Sequence, residues 1–181
     1  HLAPSAKVCQ DIVAGNFAVM SSRDPGLYGQ GAYVTTDIDY VVRAYGGGDE
    51  GEIPEELHVI CCFIVIGNSF PVIECPFEGD QSTTGLYGKP ITPKADSHLV
   101  VVTRDPVANA HLGEKRKKKY LPAPSSAWGH SVEVQGIGEK VPLVNRVFTE
   151  VALGDMSQIL PVAFMTIRPT ETKRAELEDE L

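Results

Sequence analysis

Tyr28-Gly29-Gln30-Gly31-Ala32-Tyr33-Val34 is the stretch from which the rest of the chain is read. Two glycines one residue apart lead into an aromatic and a β-branched residue, the pattern of a loop that enters a strand. Glycine accepts backbone angles closed to other residues and lets a ligand approach the main chain closely. Two further residues keep this loop company. A histidine stands at His1, and a lone glutamate, Glu150, interrupts the apolar run Phe148-Thr149-Glu150-Val151-Ala152-Leu153. A carboxylate between apolar neighbours either lies on a solvated strand face by simple alternation or is kept there for chemistry.

Outward from that loop, the chain reads as short elements. Ser5 caps a helix through Ala14, with Val8, Ile12 and Val13 on one face and Gly15 as its stop. Phe17 to Met20 reads as a short strand, Ser21 to Gly26 as turn chemistry, Gly31 to Thr35 as a strand and Asp37 to Ala44 as a helix. Gly46-Gly47-Gly48 and the acids after it read as a loop. Leu57 to Ile66 is almost continuously apolar and β-branched, which predicts a central strand covered on both faces. Leu99 to Thr103, Val147 to Leu153 and Leu160 to Ile167 repeat the strand signal. Helices are few, short and early while strands fill the later half, so the pattern predicts an α+β fold rather than alternating βαβ units.

Composition narrows the function classes. At 181 residues the chain is one domain with room for a sizeable core, and its net charge of -8 does not indicate nucleic-acid binding as its main business. No run approaches the roughly 18 apolar residues of a membrane span. The opening residues lack the basic-then-apolar order of a signal peptide, so a soluble intracellular protein, nuclear or cytoplasmic, is expected. Cys61 and Cys62 are adjacent while Cys9 and Cys75 stand alone; without a Cys-x-x-Cys pair the expectation is buried reduced thiols and no metal. Gly29-Gln30-Gly31 lacks the third glycine or alanine of a dinucleotide fingerprint, and Gly88-Lys89 lacks the rest of a P-loop.

Four patches, taken in order, resemble the catalytic domain of the poly(ADP-ribose) polymerase family, the diphtheria-toxin-like ADP-ribosyltransferases with a His-Tyr-Glu set. His1 with Val8, Ile12 and Asn16-Phe17 is similar to the family's histidine and the helix after it. Gly29 to Val34 is similar to its Gly-x-Gly-x-Tyr-Phe. Gly129-His130-Ser131-Val132, followed by Gly136-Ile137-Gly138 and Val141-Pro142-Leu143, resembles its His-Ser-Val segment. Glu150, Asp155, Gln158 and Ile159-Leu160-Pro161 resemble its closing strands. The resemblance spans almost the whole chain.

That resemblance implies two packed antiparallel sheets around an NAD cleft with a few short helices. It implies a catalytic domain over residues 1–168, lacking the strand that precedes the family's histidine, and a charged tail over residues 169–181. NAD is then the co-substrate: ADP-ribose is transferred to a protein acceptor, the chain itself included, and nicotinamide is released. Breaking the nicotinamide–ribose bond passes through an oxocarbenium-like state, so the site must hold the cofactor, bind the leaving group and set negative charge near the ribose. By resemblance His1 meets the adenine-side ribose, Leu2 backbone and Gly31 meet the nicotinamide amide, and Tyr33 with Tyr45 or Tyr40 sandwiches the ring. Glu150 holds the nicotinamide ribose and polarises the acceptor, and a glutamate there belongs to members able to extend polymers. Two positions depart from the pattern. Leu2 replaces a glycine, and Val41 stands where the family presents a serine hydroxyl to the amide, with Asp39 as a substitute donor or acceptor nearby. They favour two alternatives, an inactive NAD- or ADP-ribose-binding module and, with the same residues, an NAD glycohydrolase. Lys115-Arg116-Lys117-Lys118-Lys119 reads as a solvated loop, with nuclear targeting or a contact to ADP-ribose polymer as alternatives.

Overall fold

A computed structural model of the chain describes residues 1–18, 26–45, 55–72, 85–103, 121–122, 147–172 and 174–175. The elements run β1 (Leu2–Ala3), α1 (Ala6–Gly15), β2 (Ala32–Thr35), α2 (Ile38–Tyr45), β3 (Leu57–Ile64), β4 (Ser69–Val72), β5 (Ser97–Thr103), β6 (Leu121–Pro122) and β7 (Val147–Leu153). A 3-10 turn (Met156–Gln158) then leads into β8 (Ile159–Ile167). The fold is mixed α+β, with helices α1 and α2 and two sheets. One sheet has the order β1-β3-β8; the other has β2-β7-β5-β4, with β6 also paired to β5. The pairs are antiparallel except β4 with β5, which run parallel, so the expectation of two purely antiparallel sheets is corrected there.

Local chemistry sets the helix ends. Ser5 is extended and its hydroxyl accepts the Val8 N–H at 3.3 Å, satisfying one of the donors a helix start leaves open. The helix includes Gly15 and stops at Asn16, whose φ is +72° and whose N–H returns to the Ile12 carbonyl. The Asn16 side-chain amide donates to the carbonyls of Met156 and Ile159, which ties the end of α1 to the 3-10 turn. That tie is why Phe17 and Ala18, the described part of the expected Phe17–Met20 strand, form no strand. Phe17 instead packs between two apolar clusters. Asp37 precedes α2 and caps it, its carboxylate accepting the N–H groups of Asp39 and Tyr40.

The two sheets meet through one face of each. On β2 and β7, Val34, Val151 and Leu153 point toward Ile159, Cys62 and Ile64 of the three-stranded sheet, and Leu99 of β5 joins them. α1 packs Cys9 against Ala3 and Ile60 on the same inner face of that sheet. β3 is central in its sheet, as its apolar run predicts. Coverage of both faces does not hold along its length: Phe63 is 70% exposed and its register partner Leu160 is 61% exposed. α1 and the second sheet both pack on the inner face, and the outer face at that end of β3 and β8 is left to solvent.

Cys9, Cys61 and Cys62 are free, and burial pushes the Cys9 and Cys62 thiols above their ordinary range. Cys75, Gly46-Gly47-Gly48, the run from Lys115 to Lys119 and the stretch from Gly129 to Leu143 lie outside the described residues. In the expected tail, residues 171–172 and 174–175 take helical geometry, with the Arg174 N–H bonded to the Thr170 carbonyl. Among the described residues no helix is long and apolar enough to cross a membrane, and no three potential metal ligands gather.

Candidate active site

Strand register brings the site together. β2 and β7 pair so that Tyr33 faces Ala152 and Thr35 faces Glu150. In β5, Val100 faces the same Glu150 from the other side. Directly opposed residues of an antiparallel pair share a sheet face, so Tyr33, Thr35, Glu150 and Val100 lie on the face turned away from the three-stranded sheet. Over that face lie α2 and the loop Gly26–Gly31, which pack Tyr28 and Tyr40 against Val100, Val102 and Phe148.

Glu150 is 3% exposed, which removes the reading of a carboxylate on a solvated strand face. The Tyr40 hydroxyl donates to its carboxylate at 3.2 Å. Tyr40 is itself buried, and its ring stacks on Phe148 at 5.2 Å and 24°. A buried carboxylate requires such partners, because taking it out of water without them costs several kcal/mol, on the order of the figures for unpaired buried ions.

His1 is no solvated chain-start side chain. The ladder between β1 and β3 extends to it, with the Ile60 N–H donating to the His1 carbonyl at 2.8 Å and the His1 main-chain nitrogen donating to the Ile60 carbonyl at 3.3 Å. The imidazole meets Phe17 edge-on at 5.1 Å, and its Nδ1 lies 2.8 Å from the Tyr33 carbonyl. A carbonyl only accepts, so Nδ1 carries the proton and Nε2 is the nitrogen left for other work.

Tyr33 uses its hydroxyl on its own loop. The Oη donates to the Gly29 carbonyl at 2.6 Å and accepts the Tyr28 N–H at 2.8 Å. The loop needs its glycines for two different reasons. Gly29 has φ +111°, and a Cβ on Gly31 would lie 2.4 Å from the Leu153 carbonyl oxygen, where the backbone of β7 passes.

His1, Leu2, Gly31, Tyr33, Tyr40, Val41 and Glu150 line one cavity of about 580 Å³, within the usual size of small-molecule sites. Five further residues share the wall: Gly26, Leu27, Tyr28, Val34 and Thr35. Thr35, whose hydroxyl donates to the Thr149 carbonyl at 2.6 Å, and Tyr28 were not singled out by the sequence reading. A small polar residue in a strand and an aromatic before a glycine carry no signal of their own. Tyr45 closes α2, and its side chain lies outside the described residues. Asp39, in the first turn of α2, is not among the lining residues. Asp155 caps the 3-10 turn by accepting the Ser157 N–H, and that bonding holds its carboxyl below the usual carboxylate range. Gln158 donates to the Val65 carbonyl, so both serve the reversal from β7 to β8. A second cavity, of about 550 Å³, lies beside that reversal and is lined in part by Gln30, Asp96, Gly154 and Asp155.

No family model, curated protein or solved structure matches the chain. The cavity presents an imidazole, an aromatic face and a buried carboxylate on a wall of mixed polar and apolar residues.

Removing the hydroxyl that meets Glu150 isolates one of these contacts. Tyr40→Phe is expected to lower unfolding stability by about 1–2 kcal/mol, the range for a hydrogen bond to a buried acceptor. Urea denaturation reads this as a lower midpoint at unchanged slope. An unchanged midpoint contradicts the contact.

Proposed function

We propose that this chain is an NAD-dependent ADP-ribosyltransferase of the poly(ADP-ribose) polymerase kind, with two packed sheets around an NAD cleft. The observation that carries the reading is Glu150, buried on the same sheet face as Tyr33 in a cavity that His1 also lines. His1, Tyr33 and Glu150, far apart along the chain, line this one hollow.

In this reading each residue offers what the reaction needs. The Nε2 of His1 accepts a hydrogen bond from the adenine-side ribose while Nδ1 stays bonded to the Tyr33 carbonyl. Tyr33, its hydroxyl tied to the loop, presents a ring face to the nicotinamide, and backbone at Leu2 and Gly31 meets the amide. Glu150 bonds the nicotinamide ribose hydroxyl and sets a negative charge beside the positive charge that develops as the C–N bond breaks. The bonding pair leaves with nicotinamide, the acceptor oxygen bonds the ribose carbon, and Glu150 draws the proton from the acceptor hydroxyl. The buried core of Val100 and Phe148 behind Glu150 lowers the local dielectric, which strengthens that charge interaction. The acceptor is a protein side chain, including sites on this chain. Its product is one ADP-ribose unit or a polymer, and Glu150 favours extension.

A second reading is favoured by one observation. Val41 lies buried in the cavity wall, where the resemblance calls for a hydroxyl. An apolar residue facing the nicotinamide amide weakens binding by about 1–3 kcal/mol, which fits a module that binds NAD or ADP-ribose without turnover.

Two experiments separate these readings. With NAD labelled on the adenylate, wild type is expected to release nicotinamide and to carry label on protein. Glu150→Ala is expected to lose roughly 100-fold or more of that rate, the scale for removing a group that stabilises developing charge. Release without protein label identifies a glycohydrolase; NAD binding without release identifies the binding module; neither binding nor release overturns both.

Val41→Ser restores a hydroxyl to the wall, and its side chain can rest on the Asp37 carbonyl one turn back. Calorimetric affinity for nicotinamide is expected to rise roughly tenfold, equivalent to about 1.4 kcal/mol. An affinity that stays flat or falls places the nicotinamide away from α2.

A further inference from the structure

Strand β5 carries a histidine that solvent does not reach. His98 is 0% exposed, and in the β5–β7 register it faces Ala152, two residues along from the pair of Val100 with Glu150. It therefore lies on the site's face of the sheet, yet it does not line the cavity. Nothing assigned so far uses it.

Both ring nitrogens are committed, each to a different segment. Nδ1 is hydrogen-bonded to the Tyr28 carbonyl and so carries the proton. Nε2 accepts the Thr92 N–H at 2.9 Å and lies 2.9 Å from the Thr92 hydroxyl. The ring rests at 5.6 Å against Phe70. The Gly26–Gly31 loop runs directly over the imidazole: a Cβ on Gly29 would lie 2.8 Å from Nδ1. The same two segments also meet through backbone, with the Gln30 N–H on the Lys89 carbonyl at 2.7 Å and the Gly88 N–H on the Gly26 carbonyl at 3.2 Å. The imidazole is thus the side chain through which β5 grips the loop that forms one wall of the cavity. Phenylalanine or leucine would fill the same space, but neither could donate to one segment and accept from the other.

We propose that His98 is a positioning residue: it fixes the Gly26–Gly31 wall, and through it the placement of the Tyr33 ring, without touching the ligand. The structural part stands on geometry alone. The ligand part rests on the transferase reading.

The test uses the full chain and three proteins: wild type, His98→Ala and His98→Asn. Asparagine keeps a side-chain N–H directed at Tyr28 and gives up Thr92. Hydrogen exchange is read at Tyr28 to Gly31, at Thr92, and at the Val100 and Val102 ladder amides, alongside calorimetric affinity for nicotinamide. In His98→Ala the amides of Tyr28 to Gly31 and of Thr92 are expected to exchange about tenfold faster or more, with the ladder within about twofold of wild type. Nicotinamide affinity is expected to fall about fivefold, and His98→Asn to recover both the loop protection and the affinity while Thr92 stays fast. If the ladder and loop loosen together in both variants, His98 is core packing and the proposal is overturned. If the loop loosens while affinity holds, the proposal is overturned as well. If wild type binds no nicotinamide but the exchange pattern appears as expected, His98 positions the loop and it is the transferase reading that falls. Should His98→Ala fail to fold, His98→Asn decides alone: a loop protected with Thr92 exposed supports the proposal, and uniform loosening contradicts it.

Discussion

Everything at the site depends on the register between β2 and β7. Side chains alternate along a strand, so a slip of one residue moves a whole set to the other face. In the observed register Val34, Val151 and Leu153 enter the contact between the sheets, and Tyr33, Thr35 and Glu150 take the opposite face. A slip of one would drive a carboxylate into the apolar contact and open three aliphatic side chains. Gly31 pins the pairing from its end, because only a residue without Cβ lets β2 begin so close to the Leu153 carbonyl. The glycine loop and the lone glutamate are thus two halves of one constraint.

From that register the electrostatics follow. Glu150 has Val100 on one neighbouring strand, Thr35 on the other and the Tyr40 hydroxyl on its carboxylate, so it lies nearly out of water, where charge interactions are strengthened. The loop over it is held by the Tyr33 hydroxyl from within, by the His98 imidazole from β5 below, and by backbone bonds that join Gln30 to Lys89 and Gly88 to Gly26.

How much of this was legible in the sequence differs by element. β7 was readable to the residue, since Val147 to Leu153 is apolar, β-branched and bounded, and α1 announced itself through the Ser5 cap. β4 was hidden because Pro71 sits inside it, and the parallel pairing with β5 leaves no trace in a four-residue strand. The Phe17–Met20 segment misled because four apolar residues in a row read as a strand until Asn16 is seen tied to the 3-10 turn. At the site, Glu150 stood out as a charge in an apolar run, but alternation could not say which face it took. His98 gave no signal at all: one polar residue at the start of a strand looks like any edge residue until both its nitrogens are seen to have partners.

A crystal structure of the complex with a non-hydrolysable NAD analogue tests most directly whether this cavity is an NAD site built around Glu150. The nicotinamide ring is expected against Tyr33, beside Val41, with the adjoining ribose hydroxyl within hydrogen-bond distance of the Glu150 carboxylate. An analogue seated instead in the second cavity beside Asp96 and Asp155, or absent from both at saturating concentration, contradicts it.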